Sequence, residues 1–442
     1  MKKLLTALIS LGAIFSFVSC SGPNALDGMK LLRSPESLSH DYDYRATREE
    51  GYVAFKDKIV AFSAKLSEVL SKEEFKENQN FACSPVSIEL CLGMAIRCAD
   101  GKTRQELLVL FDVDYVTFNK YYKLFYDELT RERYNEFKQL EAQNLFTNSI
   151  WIDDEITLLD EGLDALRDDY YCYSYHADFN HDNQKTNEAM EEFIKDKTKG
   201  LIDPDLDLGP KTIFVLMNTL YLKDIWRADG EDLSYASDTY QFTNMNGNKS
   251  NKRLLENANY IPGRTIYSDN YSSFYTCTSN GLNLHFIKPN EGKDIKKVFN
   301  KENIEYVTNH KNYVITDEVK KENYFTNCIF PEYKAESDID LKPIFKKDFG
   351  ISTLFELGMC NLHNIIDTDD VYVSDFKHIA KLNVGKAGIE GAAVTYMAAV
   401  GASMPDETYK DVYETFVVDK EFGFVLTYHD VIMFSGIVTN ID

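Results

Sequence analysis

Basic residues are in the minority in this chain, 48 Lys and Arg against 71 Asp and Glu, giving a formal net charge of -23 over 442 residues. A surface of that sign repels phosphate backbones, and no basic stripe with interleaved aromatics relieves it, which argues against nucleic-acid binding. The acidity itself serves solubility. Metal-ligand patterns are missing as well. No Cys or His pair stands at zinc-ligand spacing and there is no CxxC motif, so no metal site and no cofactor are expected. A G-x-S-x-G elbow is absent, which removes the usual mark of a serine hydrolase. Beyond the N-terminus no run is long and apolar enough to span a bilayer. Internal repeats and low-complexity linkers are absent too.

What is present describes a folded, exported protein. Hydrophobic residues make up 44% and aromatics 13%, enough for a sizeable core. Met1-Lys2-Lys3 precedes an apolar run from Leu4 to Val18 and then Ser19-Cys20-Ser21-Gly22. A basic start, an apolar middle and a small-residue end make 1–19 a signal peptide. Phe17-Val18-Ser19-Cys20 resembles a bacterial lipobox, although Phe17 stands where Leu is usual. That resemblance implies lipids on Cys20, a membrane anchor, and a location in the bacterial cell envelope, in periplasm or extracellular space; a plain cleaved signal is the alternative. The other cysteines, at 83, 91, 98, 172, 277, 328 and 360, are odd in number. Cys83, Cys91 and Cys98, near helical spacing, read as buried small hydrophobes.

Residues 20–48 are polar and irregular and suit a flexible tether. From Glu49 to Leu70, Phe55, Ile59, Phe62, Leu66 and Leu70 recur at helical spacing. Ser84-Pro85 opens a second helix, and Thr103 is expected to cap a third. Glu188 to Thr198 reads as a helix closed by Gly200. Thr212 to Leu222 is a continuous apolar run, as in a strand buried on both faces. Asp338 to Leu354 reads as helix and then loop. Val371–Val384, Thr415–Val418, Phe422–Tyr428 and Val431–Val438 read as strands. Helices first and strands later indicate one α+β domain over 49–442.

Several segments are recognisable in order. NFACSPVSIELCLGMAIRCADGKTRQEL (80–107), FIKDKTKGLI (193–202), VLMNTLYLKDIW (215–226), FPEYKAESDIDLKPIFKKDFGISTLF (330–355), HIAKLNVGKAGIEGAAVT (378–395) and the C-terminal FVVDKEFGFVLTYHDVIMFSGIVTNID resemble the serpins, the serine protease inhibitor family. The resemblance implies N-terminal helices packed on a large central mixed β-sheet, two smaller sheets and an exposed reactive-centre loop, here about 386–408. It implies no enzyme. A serine protease cleaves the loop, stays acyl-linked to it, and is trapped when the loop inserts into the central sheet.

The resemblance assigns residues too. Gly388, Ile389, Glu390, Gly391, Ala392, Ala393, Val394 and Thr395 match the hinge. Ala402 and Ser403 flank the scissile bond by the family's spacing, with Val400 or Met404 at the cut if the register slips. Ser84, Ser87, Asn218 and His378 match a hydrogen-bonded shutter, and Trp226 the breach where the loop first enters. A small residue before the cut suits elastase-like proteases, on a monomer. The alternative is a non-inhibitory binding protein whose loop is merely a substrate.

The physics of insertion is readable directly. Side chains alternate between faces of a strand. One face carries Ile389, Gly391, Ala393, Thr395, Met397, Ala399 and Gly401; the other holds Glu390, the single charge between Gly388 and Met404. Proline, which would break the ladder, first comes at Pro405. Lys386, Ala387 and Ile389 depart from the usual hinge residues.

Overall fold

The computed structural model describes residues 26–441 except 27–28, 37–42, 78, 136–137, 228–229, 315, 318–321, 369 and 390–409. Cys20, Glu390, Gly391, Ala392, Ala393, Val394, Thr395, Ala402 and Ser403 therefore lie outside the described residues.

The helical periodicity of the first segment is realised as a helix over Glu50–Glu74, with Phe55, Ile59, Phe62, Leu66 and Leu70 buried. Its apolar face meets the Val431–Val438 strand and the following helices. The next helix, Pro85–Cys98, is capped by Ser84, whose hydroxyl accepts from Ser87 N. Pro85 occupies the first turn, where its missing N–H costs nothing. Cys91 and Cys98 sit on this helix, but Cys83 ends the Phe81–Cys83 strand. All three thiols are buried and burial pushes each up to about 12, so they pack as hydrophobes.

The third helix begins earlier than its capping signal suggests, at Gly101, with Asp100 as N-cap. Gly101 enters it at φ +51, a conformation that a side chain would disfavour. Thr103 is instead buried, its hydroxyl accepting from Asn361 N at 3.1 Å. Further on, a helix spans Asn183–Lys197, and Gly200, at φ +78, donates its N–H to Lys195 O.

Eight strands form the main sheet, in the order Lys30–Arg33, Cys172–Ala177, Leu140–Asp153, Phe214–Ile225, Gly388–Ile389, Lys377–Gly385 and Tyr333–Asp340, with Arg131–Tyr134 pairing beside Leu140–Asp153. A six-stranded sheet contains Phe422–Tyr428 and Val431–Val438, and a five-stranded one contains Leu255–Pro262, Glu322–Phe330 and Lys410–Val417. A two-stranded hairpin completes the α+β architecture.

Three expectations are corrected. Residues 335–340 alternate in burial as a strand, and the helix starts at Leu341 behind the cap Asp340, not at Asp338. The strand expected from Val371 begins at Lys377. Part of the stretch read as a tether is docked. Lys30–Arg33 pairs antiparallel with Cys172–Ala177, and Arg33 bonds Asp164 at 2.7 Å and Asp160 at 2.6 Å. Met29 is buried in one cluster with Trp151, Tyr175, Met190 and Phe193. Backbone pairing and that burial outweigh the local polarity of the segment.

Candidate functional site

The site is a parting in the main sheet. Phe214–Ile225 is laddered on its outer side to Leu140–Asp153 from Phe214 to Lys223, and Lys377–Gly385 on its outer side to Tyr333–Asp340 from Lys377 to Val384. Between the two, the described residues supply one short strand at one end. Gly388 pairs with Ile225 and Gly385, and Ile389 with Asp224 and Val384. Both neighbours run antiparallel to it, so the flanking strands are parallel to each other.

That short strand fits closely. A Cβ on Gly388 would stand 2.1 Å from Asp224 O, against backbone that cannot yield, so the approach itself demands glycine. Ile389 is 0% exposed, on the face of the sheet that carries Leu220, Leu222, Leu382 and Val384. Level with it, the Asp224 carboxylate is saturated. It accepts from Arg131 at 2.8 Å, Thr278 Oγ1 at 2.7 Å, Asn280 Nδ2 at 3.0 Å and Ile225 N at 2.8 Å. Trp226 caps the same end, packed on Phe330 at 5.3 Å and donating from Nε1 to Gly385 O at 2.6 Å.

Lys386 is accommodated rather than repelled. Its N–H donates to Glu332 Oε1 at 3.2 Å and its ammonium lies 5.1 Å from the centre of the Tyr235 ring. Tyr235 in turn donates to Glu332 Oε2 at 2.7 Å. A cation over an aromatic face beside a carboxylate is a favourable place for a lysine.

Halfway along the parting, Ser84, Ser87, Asn218 and His378 come together. Ser84 N donates to His378 Nε2 at 2.9 Å, and Ser87 Oγ donates to Asn218 Oδ1 at 2.6 Å. One helix start thus holds both parted strands, which do not bond each other at this level among the described residues. A cavity lined by Ser84, Ser87, Asn218, Leu220, His378 and Ala380 lies between them. Asn218 Nδ2 continues the chain to Asn148 Oδ1 at 2.7 Å, and Asn148 Nδ2 donates to Tyr170 O at 2.6 Å and Tyr122 OH at 3.2 Å. Sequence reasoning missed Asn148, Tyr122 and Tyr170. The available signal was a polar Asn within the strand sequence Asn148-Ser149-Ile150-Trp151-Ile152, fully buried here.

Because His378 Nε2 accepts, the proton of the neutral ring sits on Nδ1. The ring faces the amide of Ser84 and not its hydroxyl, so the pair lacks the hydrogen bond that a serine nucleophile needs. Burial lowers the His378 pKa from 6.5 to about 4. A depressed folded pKa means that the stabilisation is fully present above pH 6.5 and is lost as pH falls through about 4. Its size is on the order of 3 kcal/mol. Urea midpoints should therefore fall more steeply from pH 7 to pH 4 in the wild type than in His378→Gln, which accepts without titrating. Parallel curves would contradict this.

Comparison with known proteins agrees with this geometry. The family model for serpin (serine protease inhibitor) matches residues 57–441. Serpin A3-8 of Bos taurus is 24% identical, over 99% of this chain and 98% of that protein. Human antithrombin-III is 22% identical over 74% and 70%. Among solved structures, the thermophilic serpin tengpin in its native state superimposes with a TM-score of 0.70 at 19% identity, covering 93% of this chain and 99% of that one. Thyroxine-binding globulin in complex with thyroxine gives 0.68 at 18%, over 87% and 98%.

Proposed function

The chain belongs to the serpin family, and on that premise we propose that it traps serine proteases as a suicide substrate, by loop cleavage, acyl-enzyme retention and insertion of the loop into the main sheet. The observation that carries this reading is the short strand Gly388–Ile389, seated between two parted strands with the rest of the gap unladdered among the described residues.

Continuing its register, residue by residue, brings Thr395 level with Asn218 on one side and His378 on the other. Gly391, Ala393 and Thr395 then fall on the core face with Ile389, all uncharged. Glu390 falls on the opposite face beside Lys223, where its charge meets an opposite one. The loop so inserted buries no lone charge, a burial that would otherwise cost several kcal/mol.

The bait in this reading is Ala402–Ser403, and the target is a protease with a shallow apolar specificity pocket, of elastase type. The protein acts as a monomer, exported and anchored to the bacterial envelope through lipids on Cys20. An elastase mixed with the chain should give a covalent complex that survives a denaturing gel. Clean cleavage after Ala402 without that complex would make the protein a substrate only.

A further inference from the structure

We propose that Glu89 is a proton-dependent clamp on the helix that holds the parting: neutral, it lets Pro85–Cys98 close on Glu50–Glu74, and ionised, it loosens that seam and with it the latch. The inference rests on the latch geometry and is independent of whether the chain traps proteases. Glu89 is 3% exposed and stands two residues beyond Ser87, about 200° around the helix from it. Ser87 meets the main sheet at Asn218, and Glu89 meets Ser63 of the Glu50–Glu74 helix. One turn of helix thus touches the parted strands on one side and the long first helix on the other.

Counting protons makes the carboxyl neutral. Ser63 Oγ lies 2.6 Å from Glu89 Oε1 and 3.2 Å from Ile59 O, two acceptors for its single proton. A proton on Oε1 resolves this, since the acid then donates to Ser63 and Ser63 donates to Ile59 O. The neighbouring hydroxyls are committed: Ser67 Oγ donates to Ser63 O at 2.8 Å, and Ser435 Oγ to Ser67 Oγ at 2.8 Å. Glu89 Oε2 has no partner among the described residues. A carboxylate so placed would lack both a cation and free donors, and a buried anion without them is strongly disfavoured.

The charges on the surrounding elements are engaged elsewhere. On the helices packed around Pro85–Cys98, Lys56 pairs with Glu128, Lys65 with Glu68, Arg104 with Asp100, and Arg167 with Asp164 and Asp168. On the adjoining strands Glu141, Lys223 and Asp224 lie at the loop-entry end and Asp153 at the other, while Val431–Val438 carries no charge. His378, at the helix start, is neutral above about 4. Burial therefore pushes the Glu89 carboxyl up to about 8, against a smaller downward pull from the Ser63 hydrogen bond. Because the folded value lies above the ordinary 4.5, the stabilisation is fully present below pH 4.5 and is lost as pH rises through about 8.

The test compares the full chain with Glu89→Gln, whose amide does not titrate, and with Glu89→Met should the glutamine variant fold poorly. Every other titrating group is shared, so a difference between the pH profiles belongs to residue 89. From pH 6.5 to pH 9 the folding constant from urea curves should fall about thirtyfold more in the wild type than in the variant. Over the same range the ratio of hydrogen-exchange rates in 84–98 and 377–385, wild type to variant, should rise about tenfold. The infrared difference spectrum of the two chains at pH 6.5 should show a neutral-carboxyl band that disappears as the pH is raised. Parallel urea curves, or the absence of that band, overturn the neutral acid. A constant exchange ratio overturns its link to the latch.

Discussion

Ile389→Arg should convert the proposed trap into a substrate, with covalent complex reduced at least a hundredfold while cleavage after Ala402 continues. Ile389 is wholly enclosed between Val384 and Asp224. An arginine there would look for a carboxylate and find Asp224, whose oxygens already accept from Arg131, Thr278, Asn280 and Ile225 N. It would also lie close to the Arg131 guanidinium, a like charge. A buried, uncompensated cation costs several kcal/mol. In the uncleaved chain the two-residue strand can withdraw and spare the cation its burial, whereas full insertion fixes it there; at about 1.4 kcal/mol per tenfold, a difference of even 3 kcal/mol shifts the outcome from trapping to release by about a hundredfold. Ile389→Val, costing about 1 kcal/mol, should stay close to wild type. The readouts are the covalent band on a denaturing gel and a melting curve of the uncleaved chain. Trapping by a folded Ile389→Arg variant would falsify the insertion argument.

Asn218→Ala should lower native stability by about 4 kcal/mol, the largest single loss expected from the latch. Its amide bonds Ser87 on one side and Asn148 on the other. Both groups are buried, Asn148 at 0% exposure and Ser87 at 5%. Truncation leaves the Asn148 carbonyl oxygen without its donor and the Ser87 hydroxyl with only a 3.5 Å contact to the residue 218 carbonyl, each loss costing about 1–3 kcal/mol. Asn218→Asp keeps the acceptor for Ser87 but loses the donor for Asn148, and should fall between. Urea denaturation monitored by circular dichroism measures the series. An Asn218→Ala midpoint equal to wild type would show that the network contributes nothing.

How much of this was legible in the sequence depends on how local each cause is. Phe422–Tyr428 and Val431–Val438 were readable to the residue, because apolar runs interrupted only by Thr427 and Ser435 flank His429-Asp430 and every strand position is buried. The Pro85 helix start was equally local, set by Ser84 and the proline. Lys30–Arg33 was not, because its pairing needs the edge of Cys172–Ala177, more than a hundred residues away. The hidden alternation in Tyr333–Asp340 lost to the helical look of the residues after it, yet its period of two was there to count.

In the site, the assigned shutter residues do converge, whereas the Asn148–Tyr170–Tyr122 extension depends on side chains from three elements meeting. Glu332 was invisible for the same reason. Its role appears once the turn after Gly385 brings Lys386 N within reach.

The docked strand Lys30–Arg33 also sets the length of a leash. With lipids on Cys20, ten residues separate the anchor from the first paired residue, at most about 35 Å of chain. A free segment reaching to residue 48 would nearly triple that radius. In the lipid-anchored form proposed above, the shorter span would confine the protein to a thin layer at the bilayer, where its concentration toward proteases in the same layer would be high and toward those in bulk low. Selectivity would then come from position as well as from the bait, so that a protease of modest intrinsic reactivity at the envelope is captured before a faster one further out.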